Sequence, residues 1–308
     1  MFPGANTSRD DAAYVVVGAP LDLSTSFRPG ARFGPERIRR FARPFDDYDR
    51  RTDLRFSDCS VHDHGDVRAW DDAPEYLTWL AGELREVAGG ADSADSADSA
   101  DSAVPLLLGG EHTISSAGVA ATDPDVFVCC DAHLDLRTEY DGNPYSHATV
   151  TRRILDGVAG GGADGESDSG GGAGPDVDEN DGSGVDEAIV LGARTGSRTE
   201  WERAAADDVT VVAPEDVAGF DLDAAVGDRT AYLSVDVDAA DPGFAPGTGT
   251  PEPFGLAPRE LRDVVRAVAP QAAGFDVVEV NDRDDGQAAS LAAKLCREFV
   301  YAHAAESG

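Results

Sequence analysis

The sequence contains almost no lysine and few basic residues of any kind. Lys294 is the single lysine, and 25 basic residues stand against 59 acidic ones, which gives a formal net charge of −34. Nucleic acids and anionic membrane surfaces attract positively charged proteins, so neither is expected as a partner. Acidic residues spread along the whole chain are typical of a protein surface that is solvated in high salt, and we therefore expect a halophilic protein.

Long apolar runs and paired cysteines are also missing. No segment approaches the ~18 apolar residues that a membrane-spanning helix needs, and no basic region followed by an apolar core, as in a secretory signal, comes after Met1. The four cysteines form no CxxC pair, so we expect no disulfide framework. Cys129 and Cys130 fit small apolar residues of a buried strand in a reducing compartment. These absences favour a cytoplasmic protein.

Short apolar runs typical of strands alternate with segments of helical periodicity. The alternation predicts an α/β fold with three layers, αβα, around a central, mainly parallel sheet. We expect a single domain over residues 1–308. Two polar insertions interrupt it, at 90–103 with repeats of Ala-Asp-Ser and at 157–186 with many Gly, Asp and Ser residues. Such compositions bury too little apolar surface to become ordered, so both insertions are predicted to be disordered loops.

Three of the strand-like runs lead into side chains that bind metal ions. In Asp131-Ala132-His133-Leu134-Asp135 and in Asp236-Val237-Asp238 the ligand-type residues are spaced by two, and the run from Val104 leads into Gly109-Gly110-Glu111-His112. In an extended strand this spacing turns side chains to one side. The carboxyl ends of parallel strands meet at one crevice. We therefore expect one pocket that contains His112, Asp131, His133, Asp135, Asp236 and Asp238.

The number of ions follows from the charge of this set. Four carboxylates in a crevice of low dielectric constant repel one another, and without cations some of them would take up protons. Two divalent ions cancel four negative charges, and six side chains can serve two ions if one or two carboxylates bridge. Oxygen-rich ligands with some imidazole favour Mn over a structural Zn, while Fe, Co and catalytic Zn stay open.

Two further residues are candidates for the chemistry. His147 lies in a loop rich in Gly, Asn and Pro, twelve residues after Asp135, where it could donate a proton to a leaving amine, although a loop histidine can equally be an ordinary surface residue. Glu279 interrupts the apolar run of a predicted last strand, Phe275–Asn281. A buried carboxylate needs a cation, which could be a substrate or an internal arginine.

Four motifs together resemble the ureohydrolase (arginase/agmatinase) family over nearly the whole chain outside the insertions. They are Gly109-Gly110-Glu111-His112, Asp131-Ala132-His133-Leu134-Asp135, Ser234-Val235-Asp236-Val237-Asp238-Ala239-Ala240-Asp241-Pro242 and Pro246-Gly247-Thr248-Gly249-Thr250-Pro251. The resemblance implies an arginase/deacetylase-like fold, a homo-oligomer (trimer or hexamer) and two Mn²⁺ ions per chain. By position, one ion would be held by His112, Asp131, Asp135 and Asp236, and the other by Asp131, His133, Asp236 and Asp238. The implied catalytic residues are His147 as proton donor, Asp238, and Glu279, which would bind the guanidinium group.

The subfamily depends on two loops. Asp22-Leu23-Ser24-Thr25-Ser26-Phe27-Arg28-Pro29-Gly30 and Gly142-Asn143-Pro144-Tyr145-Ser146-His147 look more like agmatinases than arginases. Glu139 and Asp141 add negative charge that suits a cationic amine tail, whereas the positive charge of Arg137 argues against such a tail. We therefore expect hydrolysis of agmatine, a small cationic guanidino compound, to putrescine and urea.

Other functions stay open at this point. Arginine, guanidinobutyrate and formiminoglutamate are alternative substrates, and the last two would need a basic group near the substrate tail. Ala148, Asp282 and Ala288 depart from the residues common in agmatinases, and Ala148 adjoins the expected proton donor. A metal-binding partner without activity is the alternative from another class, and a deacetylase-type enzyme with one Zn is the other enzymatic alternative. The filled ligand set disfavours the first, and the pair Asp236/Asp238 with His112 disfavours the second.

Overall fold

The computed structural model describes residues 1–89, 102–157 and 184–306. Its strands in chain order are β1 (Tyr14–Ala19), β2 (Tyr48–Asp49), β3 (Leu54–Arg55), β4 (Val61–Asp66), β5 (Val104–Gly109), β6 (Val126–Cys130), β7 (Glu187–Leu191), β8 (Val209–Val212), β9 (Ala231–Asp236) and β10 (Ala272–Val278). Within the described ranges, eight strands form a sheet in the order β4-β1-β5-β10-β9-β6-β7-β8, and β2 pairs with β3 in a separate hairpin. All neighbouring strands of the large sheet are parallel.

Helices cover both faces of this sheet. They are α1 (Gly34–Phe41), α2 (Ala73–Val87), α3 (Ser115–Thr122), α4 (Val150–Leu155), α5 (Arg198–Arg203), α6 (Leu222–Val226), α7 (Pro258–Val268) and α8 (Gln287–Glu306). Side chains of α1, α6, α7 and α8 form one core with one face of the sheet. Side chains of α2, α3 and α4 pack on the other face. The predicted three-layer αβα fold is confirmed.

The central strands are buried on both faces, which explains their continuous apolar runs. Every residue of β6 and β9 is buried, as is typical of a parallel strand between two helix layers. Strand β4, the β2–β3 hairpin and helix α3 were not expected from the sequence. Strand β4 carries two histidines and two aspartates in six residues, and α3 has apolar and small residues on all sides, so neither shows a clear periodicity.

The predicted polar insertions at 90–103 and 157–186 fall mostly outside the described residues. Among the helices that the structure does describe, none combines the length and the apolar character needed to cross a membrane.

A close backbone contact holds the loop after β1 against the end of β5. The amide of Gly110 donates to Ala19 O at 3.0 Å, and the amide of Glu111 donates to Leu21 O at 2.8 Å. A Cβ atom at position 110 would lie 2.4 to 2.6 Å from backbone atoms of Ala19 and Leu21. Only glycine permits this approach. The contact places the loop that begins at Leu21 over the carboxyl end of the sheet.

Candidate metal centre

All of the predicted ligands follow neighbouring central strands at one edge of the sheet. His112 follows β5, Asp131 follows β6, and Asp236 ends β9. Strand β10, which leads to Glu279, lies between β5 and β9, so the four strands are adjacent in the order β5-β10-β9-β6. The carboxyl ends of these strands therefore deliver the ligands to one crevice, as the sequence predicted.

The backbone at the ligands differs from the extended strand that the spacing by two indicated. Strand β6 ends at Cys130, and Asp135 adopts a positive φ of 50°. Asp131 Oδ1 accepts a hydrogen bond of 2.7 Å from the amide of His133, two residues further on. Such a turn is a local property of aspartate, which competes with the strand for the backbone amide. It brings the side chains together by bending the chain.

The same turn recurs after β9. Asp236 Oδ1 accepts from the amide of Asp238 at 2.8 Å, and a 3₁₀ helix, Val237–Ala239, replaces the expected strand. In this turn one oxygen of Asp236 binds the backbone, which leaves Oδ2 to face the crevice.

One cluster of ligand atoms surrounds the imidazole of His112. Its Nδ1 lies 3.0 Å from Asp131 Oδ2, 3.0 Å from Asp135 Oδ2 and 3.6 Å from Asp236 Oδ2. This Nδ1 is buried and has no hydrogen-bond partner. A buried nitrogen that faces three carboxylates without a partner fits a metal ion, which would bind its lone pair.

A second cluster surrounds His133. Its Nδ1 lies 3.4 Å from Asp131 Oδ1 and 3.1 Å from Asp238 Oδ2. The ligand atoms of these three residues lie within 4.8 Å of one another. Asp131 thus presents one oxygen to each cluster, as a bridging carboxylate would. The residues fit a binuclear site with predominantly carboxylate and imidazole ligands.

Repulsion among the carboxylates raises the pKa of two of them. Burial, followed by the negative charge of Asp131, raises the pKa of Asp135 to about 7. Burial and the charges of Asp238 and Asp131 raise the pKa of Asp236 well above its ordinary value. For Asp131 burial acts in the same direction, but the close imidazoles of His112 and His133 outweigh it and lower the pKa. Without cations this cluster would hold protons.

Metal binding should therefore release protons. A cation needs ionised carboxylates, so below about pH 7, where Asp135 is protonated in the metal-free protein, its affinity should fall about tenfold per pH unit for each proton displaced. Because the pKa of Asp135 is raised on folding, the metal-free protein should instead gain stability as the pH falls through 7. Titration calorimetry with Mn²⁺ at pH 6, in two buffers of different ionisation enthalpy, measures the released protons. Equal apparent enthalpies in both buffers would contradict this prediction.

Polar groups behind the candidate ligands orient them, and these contacts were not predicted from the sequence. Nε2 of His112 lies 3.2 Å from Ser234 Oγ and 3.6 Å from Cys129 Sγ, so Nδ1 is left for the ion. Burial raises the pKa of Cys129, so in the metal-free protein this residue is a neutral thiol. Asp238 Oδ1 accepts from the amide of Ala132 at 3.1 Å, which joins the loops after β6 and β9.

Glu279 and His147 lie at the same edge of the sheet. Strand β10 ends at Val278, one residue before Glu279, whose positive φ of 61° turns its side chain into the crevice. Glu279 Oε1 accepts from the amide of His112 at 3.0 Å, and within the described ranges no arginine forms an ion pair with Glu279, so the alternative of an internal arginine finds no support there. His147 begins a 3₁₀ helix, and its ring nitrogens lie 3.1 Å from Ser24 Oγ and 3.3 Å from Ser26 Oγ.

The loop that follows Asp238 is fixed by one arginine. Residues 241–257 contain no helix or strand, which agrees with their high content of Gly and Pro. The guanidinium of Arg194 donates to Asp238 O at 2.8 Å, Glu252 O at 2.7 Å and Pro253 O at 3.1 Å. Thr250 Oγ1 donates to Asp238 Oδ2 at 3.2 Å. Arg194 thereby ties the far part of the loop to the backbone of a ligand.

Replacement of Arg194 by Lys should destabilise the protein. Lysine keeps the charge but lacks the planar fork that reaches several carbonyl groups at once. Leaving two or three partly buried carbonyls without donors should cost about 2 to 4 kcal/mol, and should lower Tm by about 5 °C or more. Thermal unfolding with and without Mn²⁺ measures the change. The exposed Arg198, which pairs with Glu202 within one helix, gives the matched control Arg198→Lys, for which we expect no measurable shift.

Arg32 and Arg137, two arginines of the loops near the crevice, form ion pairs within the protein. Arg32 Nε lies 2.9 Å from Asp22 Oδ2, and Arg137 Nε lies 3.2 Å from Glu200 Oε2. Arg28 lies over the ring of Phe27, 5.1 Å from its centroid.

Comparison with known proteins agrees with this geometry. The model of the Arginase family matches residues 12–301. The chain is 33% identical over 292 residues to the N(1)-aminopropylagmatine ureohydrolase of Thermococcus kodakarensis (93% of this chain, 89% of the relative). It is 32% identical over 296 residues to the agmatinase of Pyrococcus horikoshii (92% and 90%). The crystal structure of the agmatine ureohydrolase of Thermoplasma volcanium superposes with a TM-score of 0.81 and 30% identity, covering 99% of this chain and 94% of that one.

Both the sequence and the structure thus match enzymes of one kind over nearly their full lengths. This chain belongs to the arginase family, is a hydrolase that acts on guanidino or amidino groups, and is most similar to agmatinases within the family.

Proposed function

We propose that the protein hydrolyses agmatine to putrescine and urea with two Mn²⁺ ions. The choice of agmatine as substrate rests on the loop before His147. Its acidic residues Glu139 and Asp141 are exposed, whereas its cation, Arg137, is paired with Glu200. The loop therefore offers negative charge to an amine tail, and its own arginine is not free for a carboxylate.

His112, Asp131, Asp135 and Asp236 would hold one ion, and Asp131, His133, Asp236 and Asp238 would hold the other. When bound, the two ions supply Lewis acidity and lower the pKa of water so that it can attack near neutral pH. Carboxylate and imidazole donors favour Mn²⁺ among the candidate metals.

Glu279 would bind the guanidinium group. Oε1 is held by the amide of His112, and Oε2 lies on the side of Gly249, where an added Cβ would be 3.3 Å from it. Within the described ranges Glu279 has no lysine or arginine as an ion-pair partner, which makes its buried charge costly, and burial with the charge of Glu111 raises its pKa to about 8. A guanidinium group, which is always charged, would restore the ionised form.

His147 would move the proton to the leaving amine. In the metal-free protein, burial and the positive charges of His133 and His112 lower its pKa to about 4, and two bound cations would add positive charge in the same place. A low pKa makes the imidazolium a strong acid, so a proton taken up during attack passes readily to an amine. Asp238, whose Oδ2 accepts from Thr250, would act as both ligand and acceptor for a hydrogen bond from the attacking water.

The test is urea release by the purified, Mn-loaded protein in high salt, with agmatine and arginine offered separately. We expect release from agmatine, and none from agmatine by Asp131→Ala. Release from arginine alone would overturn the substrate and keep the hydrolytic mechanism. No urea from either compound, with two Mn²⁺ bound per chain, would exclude both.

A second candidate substrate class carries a carboxylate tail, as arginine and guanidinobutyrate do. The observation in its favour is the backbone of Arg28, which lies beside Gly249 and Glu279: a Cβ added at Gly249 would be 3.5 Å from Arg28 O and 3.3 Å from Glu279 Oε2. If this class is correct, Arg28→Ala should raise KM for such a substrate and leave agmatine unaffected.

We further propose a single domain, a trimeric or hexameric assembly, a cytoplasmic location and a high-salt environment. The excess of 59 acidic over 25 basic residues supports the last of these. Measuring mass by light scattering across a range of KCl concentrations tests the assembly and its salt requirement together.

A further inference from the structure

The loop after β1 passes between a buried glutamate and the proposed proton donor. Glu111 is fully buried and is not one of the six ligands. Its Oε2 accepts from the amides of Leu23 at 2.6 Å and Ser24 at 2.8 Å. Its Oε1 accepts from Thr113 Oγ1 at 2.7 Å and from Ser24 Oγ at 2.9 Å. With four donors around it, this carboxylate acts as the acceptor in every contact.

The hydroxyl of Ser24 has two more neighbours, both in His147. The amide of His147 donates to Ser24 Oγ at 2.9 Å, and Nδ1 of the same residue lies 3.1 Å from that oxygen. Ser146 Oγ is further from Nδ1, at 3.5 Å. Ser24 therefore connects the buried Glu111 to both the backbone and the ring of His147.

The single proton of the Ser24 hydroxyl determines the direction of each of these hydrogen bonds. A serine hydroxyl has one proton and two lone pairs. Ser24 gives its proton to Glu111, and one lone pair accepts the amide of His147. Only the second lone pair is left for Nδ1, so Nδ1 must carry a proton. Nε2 is then the nitrogen with a free lone pair, and its neighbour Ser26 is exposed and free to rotate.

We propose that Ser24 is a positioning residue that holds neutral His147 with its proton on Nδ1, so that Nε2 is the atom that gains and releases the catalytic proton. The proposal rests on the proposed role of His147 in hydrolysis. Nε2 accepts a proton from the attacking water and passes it to the nitrogen of the leaving amine as the carbon–nitrogen bond breaks, while Nδ1 keeps its own proton throughout. Glu111 acts through Ser24 and does not contact the substrate.

A measurement that needs no turnover tests the tautomer. Two-bond ¹H–¹⁵N correlation spectra of protein labelled with ¹⁵N-histidine distinguish the two neutral forms, and the His147 signals are assigned by their loss in His147→Asn. We expect the Nδ1–H form in the wild type and in Ser24→Thr, which keeps the hydroxyl. Ser24→Ala should show a mixture of forms. A wild-type spectrum with the proton on Nε2 overturns the proposal whatever the substrate is.

Leaving-group chemistry tests the consequence for the reaction. Agmatine must expel a strongly basic alkylamine, whereas 3-aminopropoxyguanidine, a chain of the same length, expels a weakly basic alkoxyamine that needs little protonation. Proton donation contributes about 10²-fold or more to such reactions. We expect Ser24→Ala to lower kcat for agmatine by about 10-fold with little change in KM, because a fraction of the molecules still has the proton of His147 on Nδ1. The loss on the alkoxyamine compound should be several-fold smaller, and Ser24→Thr should restore kcat.

The outcomes separate this proposal from the proposed function. Equal losses on both compounds in Ser24→Ala would mean that Ser24 has a structural role only. A strong loss in His147→Asn with unchanged kinetics in Ser24→Ala would overturn the positioning role and keep His147 as proton donor. A wild-type protein that hydrolyses neither compound would overturn the proposed function. The NMR spectrum would still show which ring nitrogen of His147 carries the proton, and so whether Ser24 holds the ring as proposed.

Discussion

Replacement of Asp131 by Asn should remove both metal ions and nearly all activity. Asp131 lies between the two clusters, with Oδ2 3.0 Å from His112 Nδ1 and Oδ1 3.4 Å from His133 Nδ1. The amide oxygen of Asn can still accept the bond from the amide of His133, so the local turn should survive. The other position becomes an NH₂ group, which cannot bind a cation. Loss of metal chemistry worth several kcal/mol corresponds to a decrease in urea release of about 10³-fold.

Metal content and stability separate this effect from misfolding. Elemental analysis after dialysis should give two ions per wild-type chain and fewer than one in Asp131→Asn. In the metal-free state at pH 8 the variant should still unfold in one cooperative transition, with a somewhat lower Tm, because contacts with His112 and His133 lower the pKa of Asp131 and its ionised form therefore stabilises the folded chain. Asp228→Asn is the matched control, since Asp228 is exposed and precedes β9 at the opposite edge of the sheet. A variant that keeps two tightly bound ions would show that Asp131 does not bridge.

The fold and the convergence of the six candidate ligands could be predicted because they depend on patterns that are local in sequence. Buried parallel strands require continuous apolar runs, and the ligands follow these runs directly, as Asp131 follows β6 and Asp236 ends β9. The topology then brings strand ends together without further information. His147 and Glu279 were proposed from their surroundings in the same way, and the structure places both at the same edge of the sheet as the candidate ligands.

The backbone conformation and the supporting contacts could not be predicted in this way. The spacing by two suggested an extended chain, but in both motifs the first aspartate captures an amide two residues on, and the strand ends there. The bond between Ser24 and Glu111 joins residues 87 positions apart, and Arg194 reaches carbonyls 44 to 59 residues away. Such contacts depend on tertiary packing, and the periodicity of the sequence does not indicate them.

Replacement of Glu279 by Gln should affect activity and stability in opposite directions. Glutamine keeps an oxygen for the amide of His112 but has no charge for a guanidinium group. Losing one partner of a buried ion pair costs about 3 kcal/mol or more, so kcat/KM should fall by about 10²-fold or more. Glutamine resembles the protonated glutamic acid in shape and hydrogen bonding, so the metal-free fold should not suffer.

The gain in stability should depend on pH with a defined sign. The pKa of Glu279 is raised to about 8 in the folded protein, from about 4.3 in an unfolded chain. Folding therefore becomes less favourable as the pH rises from about 4 to 8, and the penalty is complete above that range. Metal-free Glu279→Gln should match the wild type in Tm near pH 4.5 and exceed it by several degrees, about 5 °C, at pH 9.

A matched variant shows whether this gain comes from a buried charge at the site. Glu298 is also buried, but it pairs with Arg266 at 2.6 Å, so Glu298→Gln leaves a cation without its partner and should lower Tm at pH 9. If Glu279→Gln also lowered Tm at pH 9, Glu279 would have a cation inside the protein and would not be waiting for one from the substrate. If Glu279→Gln instead raises both Tm at pH 9 and KM, Glu279 carries a buried charge that no cation of the folded chain compensates. The guanidinium group of the substrate would then neutralise this charge.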